Sequence, residues 1–207
     1  MTDTPFPKSA ANRAIALIKG EHRTLARMLG AIHMLVARYQ HAGYEQNFDL
    51  FDAMLRYIEN VPNKLHHPKE DKVLFPPFMR FAASDKQLVA ELEHDHARGE
   101  SRLGSMRRAY DAVRAGVTNG PAVLSAATQE FVGFYMNHMR REELQLLPLA
   151  VARFTNEEWQ RVESAFGDNT DPLFGAELAD DYRLLYQCII ELAPATLKSY
   201  LEGAVIT

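Results

Sequence analysis

Cysteine is nearly missing from this chain: Cys188 is the single one in 207 residues. One thiol excludes a disulfide scaffold, a thiolate zinc site or an iron–sulfur cluster built within one chain. Any metal held here must therefore use histidine and carboxylate. Long apolar runs are missing as well, and no stretch approaches the ~20 residues of a membrane span. Met1 to Ser9 holds Asp3 and two prolines but no apolar core of signal-peptide length, so a cytoplasmic protein is expected. Nor is there an excess of positive charge. With 23 Lys and Arg against 27 Asp and Glu, the formal net charge is −4, which gives no reason to expect nucleic acid or an anionic membrane as partner.

What the chain has is helical periodicity. Ile15, Ile18, Leu25, Leu29, Ile32 and Val36 recur at helix spacing through Asn12–Tyr39, and His41-Ala42-Gly43-Tyr44 reads as a stop and turn. Phe51, Leu55, Ile58 and Leu65 mark a second helix from Phe48 to about Arg80, bent at Pro62 and Pro68. Ser84, with Gln87 three residues on, is the expected cap of a third helix running to about Ala115. Pro121 opens a fourth, to about Phe154. Four such helices with short connections predict an all-α, antiparallel up-down four-helix bundle over residues 10–153. Residues 154–207 read as a helical extension: Thr155-Asn156-Glu157-Glu158 caps a short helix, Gly167–Gly175 is turn-rich, and Glu177–Leu192 is amphipathic. This extension is too short for its own core and is expected to pack on the bundle, as a lid over one end.

Sliding the chain against itself by 72 residues lays Glu21-His22 on Glu93-His94, His66 on His138, Glu70 on Glu142 and Pro76 on Pro148. His22 to His66 and His94 to His138 are both intervals of 44. The bundle is thus a duplicated helical hairpin, each half offering one lone His and one HxxxE pair. Residues four apart share a helix face, so His22, His66, Glu70, His94, His138 and Glu142 are expected to converge. Six such donors exceed a tetrahedral zinc site and suit two octahedral ions with carboxylate bridges. Iron is favoured, with manganese or zinc compatible by ligand softness. His67 lies about 100° around the helix from His66, and His96 about 200° from His94, so both are expected off the inward face. His33, eleven residues beyond His22, returns to nearly the same face ~16 Å further along the axis, so it is expected in the bundle's far layer and not on the metals, and His41 is expected to be a bystander. A ferritin-like site needs two Glu-x-x-His motifs on different helices. Here Glu91–His94 and Glu93–His96 share one helix, which rules that design out.

The run Leu65-His66-His67-Pro68-Lys69-Glu70 through Leu74-Phe75-Pro76, and its second copy Asn137-His138 through Glu142-Glu143 and Leu147-Pro148, resembles the signature of hemerythrin-like HHE cation-binding domains. The resemblance implies a bundle with a non-haem di-iron centre, Glu70 and Glu142 bridging and the histidines terminal. Two departures stand out. Oxygen-carrying hemerythrins place a fifth histidine four residues after the third-helix ligand, where Arg98 stands here. The last motif is HxxxE rather than HxxxxD, a pattern more like the bacterial iron-cluster repair branch, although that branch adds an N-terminal cysteine-containing domain. The function expected is binding or sensing of dioxygen, nitric oxide or iron. The rivals are an oxidoreductase acting on peroxide or nitric oxide with an unidentified electron donor, and an interaction protein with a structural metal. Tyr135, one turn before His138, and Glu59, two turns before His66, are further polar residues on the site's face.

Overall fold

The structure, a computed structural model, describes residues 9–41, 46–167 and 176–203, with backbone alone for 176–180. The expected turn at Ala42-Gly43-Tyr44 and most of the turn-rich Gly167–Gly175 stretch lie outside the described residues. Helix α1, Ala10–Arg38, starts where the Ser9 hydroxyl accepts the Asn12 N–H. Its buried stripe runs Ala14, Ile18, His22, Leu25, Leu29, Ile32 and Val36, the 3–4 spacing of one helix face. Helix α2, Phe48–Val61, is capped by Asn47, whose side chain accepts the Leu50 N–H.

Beyond Val61 the second helix widens instead of simply bending. Pro62–His66 and Glu70–Leu74 are π-turns with His67–Lys69 between them, and Pro76–Arg80 is a 3₁₀ turn. The fourth helix repeats the device: α4, Gly120–Arg141, passes into a π-turn at Glu142–Leu146 and resumes as Leu147–Arg153. Each π-turn is followed, two residues on, by a proline: Pro68, Pro76 and Pro148. A proline ring lacks the N–H and collides with the carbonyl four residues back. Widening the turn before it removes both conflicts, and such bulges concentrate at functional sites.

Helix α3, Ala83–Arg114, lies between them. The capping box expected at Ser84 does not form, because the helix begins at Ala83 and Gln87 instead donates to Glu91. Gly116 ends the helix in the left-handed region at φ 73°, with Val117 N–H returning to the Ala112 carbonyl, a conformation that glycine adopts without a Cβ clash. The helices pack as the bundle expected. Helix α1 packs on α2 and α4, and α3 on α4, while Phe51 of α2 stacks on Tyr110 of α3 at 4.1 Å.

Helix α5, Asn156–Gly167, carries the cap read from the sequence: Thr155 N–H donates to Glu158, and Glu158 N–H donates to the Thr155 hydroxyl. Helices α6, Ala176–Leu192, and α7, Ala195–Leu201, follow. These three do not form a lid over one end. Trp159, Val162 and Phe166 of α5 join one apolar cluster with Ala14, Ile18, Phe75 and Leu92. Ile189, Leu197 and Leu201 join a second, with Leu29, Phe51, Met106 and Phe131. Between the two clusters each of the four long helices carries a polar segment, and these four segments meet.

Candidate metal centre

The polar layer is built from α1 (His22), the π-widened continuation of α2 (His66, His67, Glu70), α3 (His96) and the end of α4 (His138, Glu142). One donor atom from each of His22, His66, Glu70 and Glu142 lies within 4.8 Å of the others, and so does one from each of His67, Glu70, His96 and His138. The two groups share Glu70. Its Oε1 is 3.1 Å from His66 Nε2 and its Oε2 3.4 Å from His96 Nε2. Glu142 is divided the same way, with Oε2 3.1 Å from His22 Nε2 and Oε1 2.9 Å from His138 Nε2. Both glutamates are buried, at 0% and 1% exposure.

His94 is not in this layer. Its side chain is exposed, and the expectation for it is corrected in favour of His96. The reason is helix phase. The buried stripe of α3 runs Val89, Leu92, Gly99, Leu103 and Met106, and His96 falls on it while His94 falls outside. The self-alignment had matched Glu93-His94 to Glu21-His22, whereas the structure matches Asp95-His96, an offset of 74 residues. His67 is likewise brought inward. Its ring stacks on His96 at 3.8 Å and 9°, and it is 5% exposed. The 100° between His66 and His67 does not separate them from the site; it sends them to opposite sides of Glu70. His33 and His41 are exposed, so neither joins the polar layer, and His33 does not pack in the far layer of the bundle either. Glu59 turns outward to Arg107 at 2.6 Å. Tyr135 lies parallel to His67 at 6.1 Å, its hydroxyl over Gly99, where an added Cβ would stand 2.6 Å away.

A ring of acidic residues holds the histidines from behind. His22 Nδ1 is 3.0 Å from Glu143, His66 Nδ1 2.8 Å from Glu21 and His96 Nδ1 3.1 Å from Asp71, while His138 Nδ1 stands 3.8 Å from Asp95. A carboxylate can only accept, so in the first three pairs Nδ1 donates and the neutral ring is left with a lone pair on Nε2. That is how second-layer carboxylates orient metal-binding imidazoles. The ring is itself two-fold. Glu21 and Asp95 each precede an inward histidine and stand behind the histidine of the next helix. Asp71 and Glu143 each follow a shared glutamate. Lys69 pairs with Glu21 at 2.8 Å and Arg141 with Asp95 at 3.0 Å, and each cation immediately precedes a shared glutamate.

This arrangement is unsatisfied by protein alone. Both oxygens of Glu70 and of Glu142, both ring nitrogens of His138 and Nε2 of His96 are buried without a hydrogen-bond partner among the described residues. Buried polar atoms are normally paired, and an isolated buried carboxylate is costly. His22 Nε2 and His66 Nε2 stand 3.0 Å apart although both Nδ1 atoms already donate, so two lone pairs face each other. Cations at these points would partner the four carboxylate oxygens and the Nε2 atoms of His22, His66, His96 and His138, and the residues therefore fit two metal ions. The electrostatics agree. Burial favours the neutral form of Glu70, yet the adjacent His66 holds its carboxyl well below the usual range. Burial also opposes protonation of His96, yet the Asp71 hydrogen bond and the nearby Glu70 carboxylate raise it to about 9. Burial and then the neighbouring His96 charge push His67 well below the ordinary imidazole value.

A four-helix bundle whose middle layer is histidine around two shared carboxylates is the architecture of a cation-binding bundle. The hemerythrin HHE cation-binding domain model matches residues 13–150, and the chain belongs to that family. The zinc finger protein BRUTUS of Arabidopsis thaliana is 26% identical over 165 residues, covering 77% of this chain and 12% of that protein. The chain thus spans a small part of its curated relative. No solved structure matches. No helix among the described residues is long and apolar enough to cross a membrane.

Proposed function

We propose that the chain binds two metal ions, iron ahead of manganese or zinc, with Glu70 and Glu142 bridging. His22 and His66 complete one position, and His67, His96 and His138 the other. The observation that supports this is the pair of glutamates whose oxygens are split between two histidine groups and left without hydrogen bonds. Nitrogen and oxygen donors without thiolate suit iron. Iron, when bound, supplies redox chemistry and affinity for small ligands such as dioxygen and nitric oxide. The chain's own residues hold the His22, His66 and His96 imidazoles in one tautomer, flank the layer with an apolar cluster on either side, and offset the buried negative charge through Lys69 and Arg141.

The role proposed is binding or sensing of dioxygen, nitric oxide or iron in the cytoplasm. A second reading, an oxidoreductase acting on peroxide or nitric oxide with a separate electron donor, is favoured by the inequality of the two positions. Two histidines against three leave more of the His22–His66 side to a ligand. The purified chain tests this. Two irons per chain, with a visible absorption band that changes on dithionite, oxygen or nitric oxide, are expected. One zinc per chain and no such band would overturn the di-iron reading. Multiple-turnover consumption of peroxide or nitric oxide would move the oxidoreductase reading first. Unfolding on chelation, with no ligand response, would leave a structural metal.

A further inference from the structure

A groove of about 520 Å³ runs between α1 and α4 on the outside of the bundle, with the buried His22 in its wall. Met136 and Leu144 line it although they are 44% and 61% exposed, and Val151, further along the same helix, is 55% exposed. Met136 and Val151 are fifteen residues apart, and the π-turn at Glu142–Leu146 takes up one of them. The remaining fourteen are close to four helical turns, with Leu144 midway, so the three side chains form one line. That line is ~22 Å long, more than an ion or a small metabolite covers. Gly133, one turn before Met136, is exposed on the same side, and a Cβ there would meet nothing within 4 Å. The chain's own packing thus gives no reason for a mid-helix glycine, which costs helix stability, whereas a missing side chain lets a second backbone come close.

We propose that this face docks an amphipathic helix of a partner protein, one whose apolar ridge is flanked by aspartate or glutamate. The inference goes beyond metal binding and does not rest on it. The helical form of the occupant follows from the seam. Apolar residues recurring every two turns on an exposed face are what a further helix packs into. Its charge follows from the groove. Arg23 of α1 and Arg140 of α4 line it from either side, both are exposed, and neither has a hydrogen-bond or ion-pair partner among the described residues. Glu143, the acid among the lining residues, is already engaged by His22 at 3.0 Å and Lys19 at 3.6 Å. Glu130, further back on α4, stands 3.4 Å from Arg102. The groove therefore offers two guanidinium groups, and carboxylates are their natural complement. A helix seated there would close the groove over His22.

The test uses the full chain and two labelled helical peptides of about five turns, read by fluorescence anisotropy. Both carry leucine along one seam; one has glutamate beside the seam and the other lysine. Saturable one-to-one binding of the glutamate peptide is expected, weaker as salt rises. The lysine peptide should bind about tenfold less tightly or worse. Leu144→Lys should weaken the glutamate peptide about tenfold or more, the worth of one buried leucine, and Val151→Lys gives a second reading at the far end of the seam. Arg23→Glu with Arg140→Glu should reverse the order of the two peptides. Circular dichroism and metal content are expected to match the native chain in every variant, because none of the substituted side chains is paired with a residue of the polar layer. No saturable binding of the glutamate peptide, equal binding of both peptides, undiminished affinity in both lysine variants, or an unreversed order in the double variant would overturn the proposal. So would sedimentation with phosphatidylserine vesicles, or self-association in the ultracentrifuge, that these same variants abolish: the first would give the face to a membrane, the second to another copy of the chain.

Discussion

Glu70 and Glu142 divide their oxygens identically between the two halves of the bundle: one oxygen of each faces His22 and His66, the other His96 and His138. A bridging carboxylate serves two ions at once, so its loss is expected to affect both. Glu70→Ala and Glu142→Ala are each predicted to bind at most one metal per chain, against the two expected of the native protein. The helical circular dichroism should remain, because the two apolar clusters hold the bundle from either side. Metal analysis after gel filtration checks this, and two metals in both variants would mean that the glutamates do not bridge.

The exchange of His94 for His96 separates the two site assignments cleanly. His94→Ala removes an exposed imidazole and is predicted to keep two metals. His96→Ala takes a donor from the three-histidine position, and His67→Ala takes another. Each should lose the ion at that position or weaken it strongly, while the His22–His66 position stays filled. Equal stoichiometry in the His94 and His96 variants would contradict the helix phase seen in α3.

How much of this was legible in the sequence follows from what fixes each residue. The four long helices, and five of the six expected donors, come from periodicity and from the repeat. The repeat registers His66, Glu70, His138 and Glu142 because a shared spacing and a proline that demands a π-turn recur in both copies. His96 was missed because the repeat was trusted over the apolar stripe of its own helix. Val89, Leu92, Leu103 and Met106 place position 96, not 94, on the buried face. His67 was missed for a different reason. A single-point view of the site treats 100° as exclusion, whereas a layer with two donor groups is wide enough to receive neighbours on either side of Glu70. The acidic ring behind the histidines had a signal as well, an acid next to each donor, but its use depends on contacts between helices that no local pattern specifies.

Glu21 and Asp95 make that ring testable. Both are held by a cation and stand behind a histidine, but the Glu21–His66 contact is 2.8 Å and the Asp95–His138 contact 3.8 Å. Loss of a second-layer partner typically lowers metal affinity ~10–100-fold. Glu21→Gln is therefore predicted to weaken one of the two ions by about that factor, and Asp95→Asn by less. A competition titration against a chelator of known affinity reads both. An Asp95→Asn effect exceeding that of Glu21→Gln would show that distance does not rank these partners.

Gly99 is the close approach between α3 and α4. A Cβ at this position would lie 2.6 Å from the Tyr135 hydroxyl and 3.0 Å from its ring. Tyr135 is buried at 4% exposure and its ring is rigid, so the clash must be relieved by moving the helix or the ring toward His67. Overpacking of this kind costs about 1–3 kcal/mol. Gly99→Ala is predicted to lose about that much stability in urea. Gly99→Ala combined with Tyr135→Leu, which removes the clashing hydroxyl, should recover part of it. A Gly99→Ala protein as stable as the native one would mean that this contact opens freely.

Acid tests the attachment of α5. Arg80, in the 3₁₀ turn after the site, pairs with Glu158 in the first turn of α5, and this hydrogen bond lowers the Glu158 carboxyl from 4.5 to about 2, with burial opposing and the Thr155 N–H assisting. A carboxyl whose folded value is depressed contributes stability that is fully present above its unfolded value and is lost as pH falls through the folded one. The stability difference between the native chain and Glu158→Gln should therefore be constant above about pH 4.5 and close as pH falls toward 2. Denaturation midpoints of both proteins, stripped of metal and measured at several pH values, give that difference with the other carboxylates cancelled. A gap that widens on acidification would reverse the sign and exclude the Arg80–Glu158 pair as the cause.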